Sequence, residues 1–201
     1  QEVSYSIKMD GGASSIIRIN QDELHINLRS CDNTDRNNKK SEWLWRYFTL
    51  LKDKLPIGWR FSGEVLKWQH SIPYNNLNSF FNLYLIWNEN NEALSFQETQ
   101  DWCKLLDISE IGITSMEYVP VLYSGKYDVK LLKEMFNEVV VNGEEGLVVR
   151  KNKSFKYTDG SDWYFQDLLK LVRKNHLQTT EHWDKNLISN QLKIDSPYRN
   201  I

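Results

Sequence analysis

The chain has 201 residues, enough for one domain with an appendage and short of two full domains. Its 40% hydrophobic and 26% charged residues exclude a disordered polymer, and 25 Lys plus Arg against 27 Asp plus Glu exclude bulk positive charge as a reason to bind nucleic acid. No apolar run approaches the roughly 18 residues of a membrane span, whereas 8 Trp and 10 Tyr call for a core or for a surface on which flat ligands stack.

The chain opens with neither a basic start nor an apolar signal-type run, and its two cysteines, Cys31 and Cys103, lack the spacing of a disulfide framework or a zinc site. Free thiols in a reducing cytoplasm are expected, with no membrane partner and a monomeric chain. The missing initial methionine leads us to expect natural residues upstream.

In chain order, Val3 to Lys8, Ser14 to Asn20 and Glu23 to Leu28 read as strands, the last two joined into a hairpin by turn chemistry at Asn20 to Asp22. Asp32 to Lys40 is a polar loop with a basic end. Ser41 to Lys54 repeats its apolar residues at helical spacing behind a capping serine, and Trp59 to Val65 and Phe80 to Trp87 read as strands. Ser95 to Leu106 carries a capping box, Ser95 with Glu98, ahead of a second helix. A strand over Glu117 to Leu122 precedes a third helix over Asp128 to Phe136, followed by strands at Gly146 to Lys151 and Ser154 to Tyr157. Elements interspersed without strict alternation predict an α+β domain of mixed, largely antiparallel sheets with flanking helices. Residues 1–185 are taken as that domain and 186–201 as a tail. There is neither a Rossmann fingerprint nor a Walker loop.

The chemistry-bearing peptides begin with Lys8-Met9-Asp10-Gly11 at a strand end. A lysine there attacks an electrophile once it is deprotonated, but by itself the tetrapeptide is more often a charged strand end before a turn. More pieces follow in order: Arg29-Ser30; Phe61-Ser62-Gly63-Glu64; the aromatic strand from Phe80 and Phe81; Glu145-Gly146-Leu147-Val148-Val149-Arg150; and Lys170 with Arg173 and Lys174. In this order they resemble the covalent nucleotidyltransferases, the superfamily of ATP-dependent ligases and capping enzymes. His70-Ser71-Ile72-Pro73-Tyr74, Pro120-Val121-Leu122-Tyr123, Lys174-Asn175-His176, Gln178-Thr179 and His182-Trp183 narrow the resemblance to the ATP-dependent RNA ligase branch, from about Ser6 to Trp183.

The resemblance implies a nucleotidyltransferase adenylation fold, related to ATP-grasp. It implies ATP and Mg²⁺ or Mn²⁺ as cofactors, and RNA with 5′-phosphate and 3′-hydroxyl ends as the partner. Lys8 would take AMP from ATP, pass it to a 5′-phosphate, and a 3′-hydroxyl would then displace it. Lys170 and Arg29 would serve the phosphate with Arg173 behind them, Glu145 and Asp10 the metal, and Glu64 the ribose. Phe81 would stack on adenine or pack in the core, and Glu144 is expected to be solvated. The branch has a glutamate before the nucleophile, where this chain has Ile7, so a contact to the adenine edge is expected to be lost. Phe165, Leu168, Leu169 and Val172 have helical spacing, whereas the resemblance puts Lys170 on a strand; we follow the resemblance. His70, Arg150, Lys151 and Lys174 are candidate RNA contacts, with Lys153 and Lys156 in the same basic run and Arg36, Lys39 and Lys40 in another. Each basic cluster could equally be an ordinary solvated face, and His70 a structural residue. His176 and His182, with no cysteine or carboxylate at ligand spacing, are not expected to bind metal. DNA nick ligation, another nucleotidyl transfer and a non-catalytic nucleic-acid-binding module are the alternatives.

Overall fold

The computed structural model describes residues 1–29, 35–106, 116–157, 167–174, 176 and 187–193. Ser30, Cys31, Asn175, Gln178, Thr179, His182 and Trp183 lie outside the described residues. In chain order the elements are β1 (Glu2–Lys8), β2 (Gly12–Arg18), β3 (Leu24–Leu28), α1 (Glu42–Leu51), β4 (Arg60–Val65), β5 (Phe81–Trp87), β6 (Glu92–Ala93) and α2 (Phe96–Leu105). They continue as β7 (Glu117–Tyr118), β8 (Val121–Lys126), α3 (Val129–Val141), β9 (Gly146–Lys151), β10 (Phe155–Lys156) and β11 (Leu168–Val172).

The strands form two sheets, one ordered β11-β9-β1-β8 and the other β10-β6-β5-β4-β2-β3. Every pairing is antiparallel except that of β7, which runs parallel to β5. The α+β expectation therefore holds. The chain leaves the first sheet at Lys8 and enters the second at Gly12, so Met9-Asp10-Gly11 is the crossing between them.

The second sheet carries α1 and α2, and the first carries α3. Trp43, Leu44, Tyr47, Phe48 and Leu51 of α1 pack on Ile16, Ile26, Phe61, Phe81 and Leu83 of the second sheet. Leu132 and Val139 of α3 pack on Val3, Tyr5, Leu147 and Val149 of the first. The Ser95 and Glu98 capping box closes the start of α2, and Asp128 accepts from the Lys130 and Leu131 amides to start α3. Ser41 precedes α1 without capping it, because its hydroxyl donates to Asp35 O at 2.9 Å. The expected strand over Glu117 to Leu122 is divided into β7 and β8 at Val119-Pro120, since proline has no amide for a ladder; its carbonyl instead accepts from Ile7 N at 2.9 Å. Cys103, on the buried face of α2, is a free thiol.

The tail assigned from residue 186 is, over 187–193, part of the packed unit. Asn190 is buried, donates from Nδ2 to Leu66 O and accepts at Oδ1 from Tyr74 N, both at 2.9 Å. Leu192 joins the larger core. Asn190→Ala would leave a buried carbonyl and a buried amide without partners, and is expected to cost about 2–3 kcal/mol. A urea-unfolding midpoint unchanged by the substitution would contradict this accounting.

Candidate active site

Lys8 ends β1 opposite Gly146 of β9, which brings its Nζ to 2.6 Å from Oε1 of the buried Glu145. The crossing that follows is tight. A Cβ on Gly11 would lie 2.4 Å from Val65 O and 2.8 Å from a Leu66 methyl, so only glycine lets the two sheets meet here. Lys170 sits on β11 opposite Val148, on a strand as the resemblance requires, and the helical spacing of its neighbours misleads. Between the sheets is a cavity of about 300 Å³, whose wall includes Ile7, Lys8, Glu64, Tyr84, Trp87 and Lys170.

Glu64 faces Lys8, Glu145 and Lys170. Burial, with Glu145 adding to it, pushes its carboxyl up to about 7, against the pull of Lys8, Lys170 and the Gly11 amide. Between roughly pH 4.5 and 7 the folded chain keeps a proton there that the unfolded chain has released, so this group makes stability fall as pH rises through that window. Glu64→Gln is expected to remove about 2–3 kcal/mol of that loss, read as urea midpoints of both proteins at pH 5 and pH 8. Parallel pH dependences would refute it.

Asp10, two residues after Lys8, is not on the cavity wall. Its Oδ2 accepts from the Ser71 and Ile72 amides at 2.7 Å each, and its own amide donates to the Tyr74 hydroxyl at 3.0 Å. The His70 to Tyr74 peptide is therefore the clamp on Asp10. Burial drives the His70 imidazole below its ordinary value, an effect opposed by Asp10 and Glu145 and strengthened by Arg29, so the charge of Arg29, exposed after β3, is felt at His70. The Tyr74 hydroxyl, raised by burial, donates to Glu144 Oε2 at 3.5 Å. Glu144 is thus partly buried and bonded rather than solvated.

His176 also reaches this cluster. Its Nε2 lies 3.4 Å from Asp10 Oδ1 and 3.8 Å from Glu145 Oε1, and one donor atom from each of the three residues falls within 4.8 Å of the others. The expectation that His176 has no carboxylate partner is corrected: the partners are distant in sequence and adjacent in space. Two carboxylates and an imidazole suit a divalent ion of the first transition row.

Three other expectations are corrected by burial or pairing. Phe81 is fully buried, edge-on to Phe48 at 5.0 Å, and away from the cavity. The reason is a bulge: β4 pairs Ser62 with Leu85 but Gly63 with Leu83, leaving Tyr84 unpaired and reversing the strand's faces. Phe81 and Leu83 therefore face α1, while Tyr84, Leu85 and Trp87 face the cavity. Arg150 is buried, donating from Nη1 to Tyr84 O at 3.2 Å and from Nη2 to Leu94 O, so it braces the cavity floor and offers nothing to an external phosphate. Lys151 is paired with Asp167 at 2.7 Å.

Arg173 and Lys174 follow β11 outside the cavity wall. The Arg173 amide donates to Glu145 O at 3.1 Å, and its charge acts on Glu144. Arg60, whose guanidinium lies 5.1 Å from the centre of the Trp87 ring, was missed as a cavity residue, although strand alternation from Glu64 through Ser62 points to it. Among the described residues no helix is long and apolar enough to cross a membrane.

The RNA ligase family matches this chain over residues 1–172. No curated protein matches it. Among solved structures, a variant of the Naegleria gruberi RNA ligase with ATP and Mn superposes with a TM-score of 0.55 at 17% identity, covering 83% of this chain and 52% of that one. The same ligase with pyrophosphate gives 0.54 at 19% identity over 83% and 51%, and a variant with AMP and Mn gives 0.55 at 18% over the same shares. This chain spans about half the length of those ligases, and at these identities the likeness is one of fold. Because the family match takes in most of the sequence, the crossing at Lys8 and the Glu145 strand with it, the chain belongs to the RNA ligase family.

Proposed function

We propose that this chain is an ATP-dependent RNA ligase working through a covalent adenylate on Lys8. The observation that supports it most is the position of that amine, 2.6 Å from Glu145 Oε1, between a cavity of nucleoside size and a cluster of carboxylates. To attack the α-phosphorus of ATP the Lys8 ammonium gives up its proton to water, and Glu145 Oε1, 2.6 Å away, orients the amine. A phosphorus–nitrogen bond forms and pyrophosphate leaves with the electron pair of the broken bond. Lys170 from the cavity wall and Arg29 from the His70 side oppose the charge gathering on phosphorus.

Glu64 holds the ribose, and Tyr84 or Trp87 supplies the flat surface assigned by sequence to Phe81. Ile7, on the cavity wall, gives the base apolar contact. Asp10 and Glu145 would hold a divalent ion, which when bound neutralises phosphate charge. The Naegleria ligase structures carry ATP or AMP with Mn, or pyrophosphate, which supports the same ligands here by likeness. The adenylate then passes to an RNA 5′-phosphate and a 3′-hydroxyl displaces it, with His70 and Lys174 as contacts to the RNA. A reducing cytoplasm fits the free, buried thiol of Cys103. The test is incubation with labelled ATP and Mg²⁺ or Mn²⁺, followed by addition of nicked RNA or nicked DNA. Covalent label discharged with sealing of RNA supports the reading; discharge only into DNA makes the chain a DNA ligase, and no label makes it a binding module.

A further inference from the structure

We propose that His176 is a direct nitrogen ligand in a divalent-cation site that the chain forms before any nucleotide binds, and that this imidazole makes the site select Mn²⁺ over Mg²⁺. The use of the ion rests on the ligase reading; the site rests on its donors. His176 lies beyond the family match, which ends at residue 172.

Adjacent ligands of an octahedral ion with bonds of about 2.1 Å stand roughly 3 Å apart, and opposite ones roughly 4.2 Å. The separations of 3.4 and 3.8 Å from His176 Nε2, with all three donor atoms within 4.8 Å, need only a few tenths of an ångström of closure to enclose such an ion. Asp10 is pre-set for it: the Ser71 and Ile72 amides hold Oδ2 and turn Oδ1 toward the imidazole. The His176 side chain is only 10% exposed, and its Nδ1 has no hydrogen-bond partner among the described residues. Nε2 faces the two carboxylates, of which Glu145 also holds Lys8 Nζ at 2.6 Å, and a divalent cation seated between Nε2, Asp10 Oδ1 and Glu145 is a species that all three groups can bind. Imidazole nitrogen raises affinity for Mn²⁺ and Co²⁺ relative to the hard, strongly hydrated Mg²⁺.

The experiment is a Mn²⁺ titration of the nucleotide-free full chain by electron paramagnetic resonance, with electron-spin-echo modulation of the bound ion to read nitrogen coordination. The wild type is expected to bind one Mn²⁺ with imidazole ¹⁴N modulation and to yield it to Mg²⁺ only at large excess. His176→Gln is expected to bind Mn²⁺ at least about 10-fold more weakly and without that modulation, while its thermal unfolding in metal-free buffer stays within a few degrees of wild type. No bound Mn²⁺, or Mn²⁺ bound without nitrogen modulation, overturns the proposal and leaves His176 as an ion-pair partner of the carboxylates. Equal affinity in the variant does the same. Lys8 labelling is read separately: label without nitrogen coordination sinks the metal site and spares the ligase reading, and nitrogen coordination without label does the reverse.

Discussion

Lys8→Ala and Lys8→Arg are both expected to lose the covalent adenylate entirely, read as the absence of an added adenylate in the intact mass after incubation with ATP and Mn²⁺. The two substitutions fail for different reasons, which is why both are needed. Alanine removes the proposed nucleophile and also the cation 2.6 Å from Glu145, a buried carboxylate, leaving that carboxylate without its lysine partner. Some loss of stability, on the order of 3 kcal/mol, is expected with it. Arginine keeps the charge beside Glu145 and so keeps the fold, but a guanidinium does not deprotonate in a protein and has no lone pair to offer phosphorus. A folded Lys8→Arg protein without label thus isolates nucleophilic chemistry from electrostatics. Adenylate retained by either variant would move the nucleophile elsewhere, and Lys170, also on the cavity wall, would be the next lysine to replace.

What could be read from the sequence was what is local. Lys8 to Gly11, Gly63-Glu64 and Glu145-Gly146 are short peptides whose chemistry and backbone demands sit in adjacent residues, and the structure brings Lys8, Glu64 and Glu145 together. The errors came from features set at a distance. The residues of β11 carry a helical pattern because only part of this edge strand is covered, and the free edge of β9, not local propensity, makes it a strand. Phe81 was misplaced because a bulge at Tyr84 reverses the faces of β5, an insertion visible only in the pairing with β4. Arg150 looked like part of a basic surface, yet alternation along β9 turns it inward toward Leu94 and Tyr84. His176 and Asn190 were undervalued for the same reason: their partners Asp10 and Leu66 lie far back in the chain, and no spacing rule connects them.

Gly146→Ala is expected to reduce adenylation at least about 100-fold, by displacing the groups on either side of Lys8 without touching it. A Cβ at Gly146 would lie 1.9 Å from Leu171 O and 2.9 Å from Leu171 C. These are backbone atoms of β11, so no rotamer change can make room. Either β11 moves off β9, taking Lys170 with it, or the chain at 145–146 tilts and withdraws Glu145 from Lys8. Both outcomes break the convergence on the amine. Gly143 is the control: it has φ +91 but no atom within 4 Å of an added Cβ, so Gly143→Ala bears only the backbone strain, about 1–2 kcal/mol, with labelling close to wild type. Unfolding midpoints separate the effects, since a Gly146 variant that is folded but unlabelled has lost geometry and not the fold. Near-normal labelling of Gly146→Ala would mean that the β9–β11 contact does not set the position of Lys170, and the catalytic role given to that lysine would have to be abandoned.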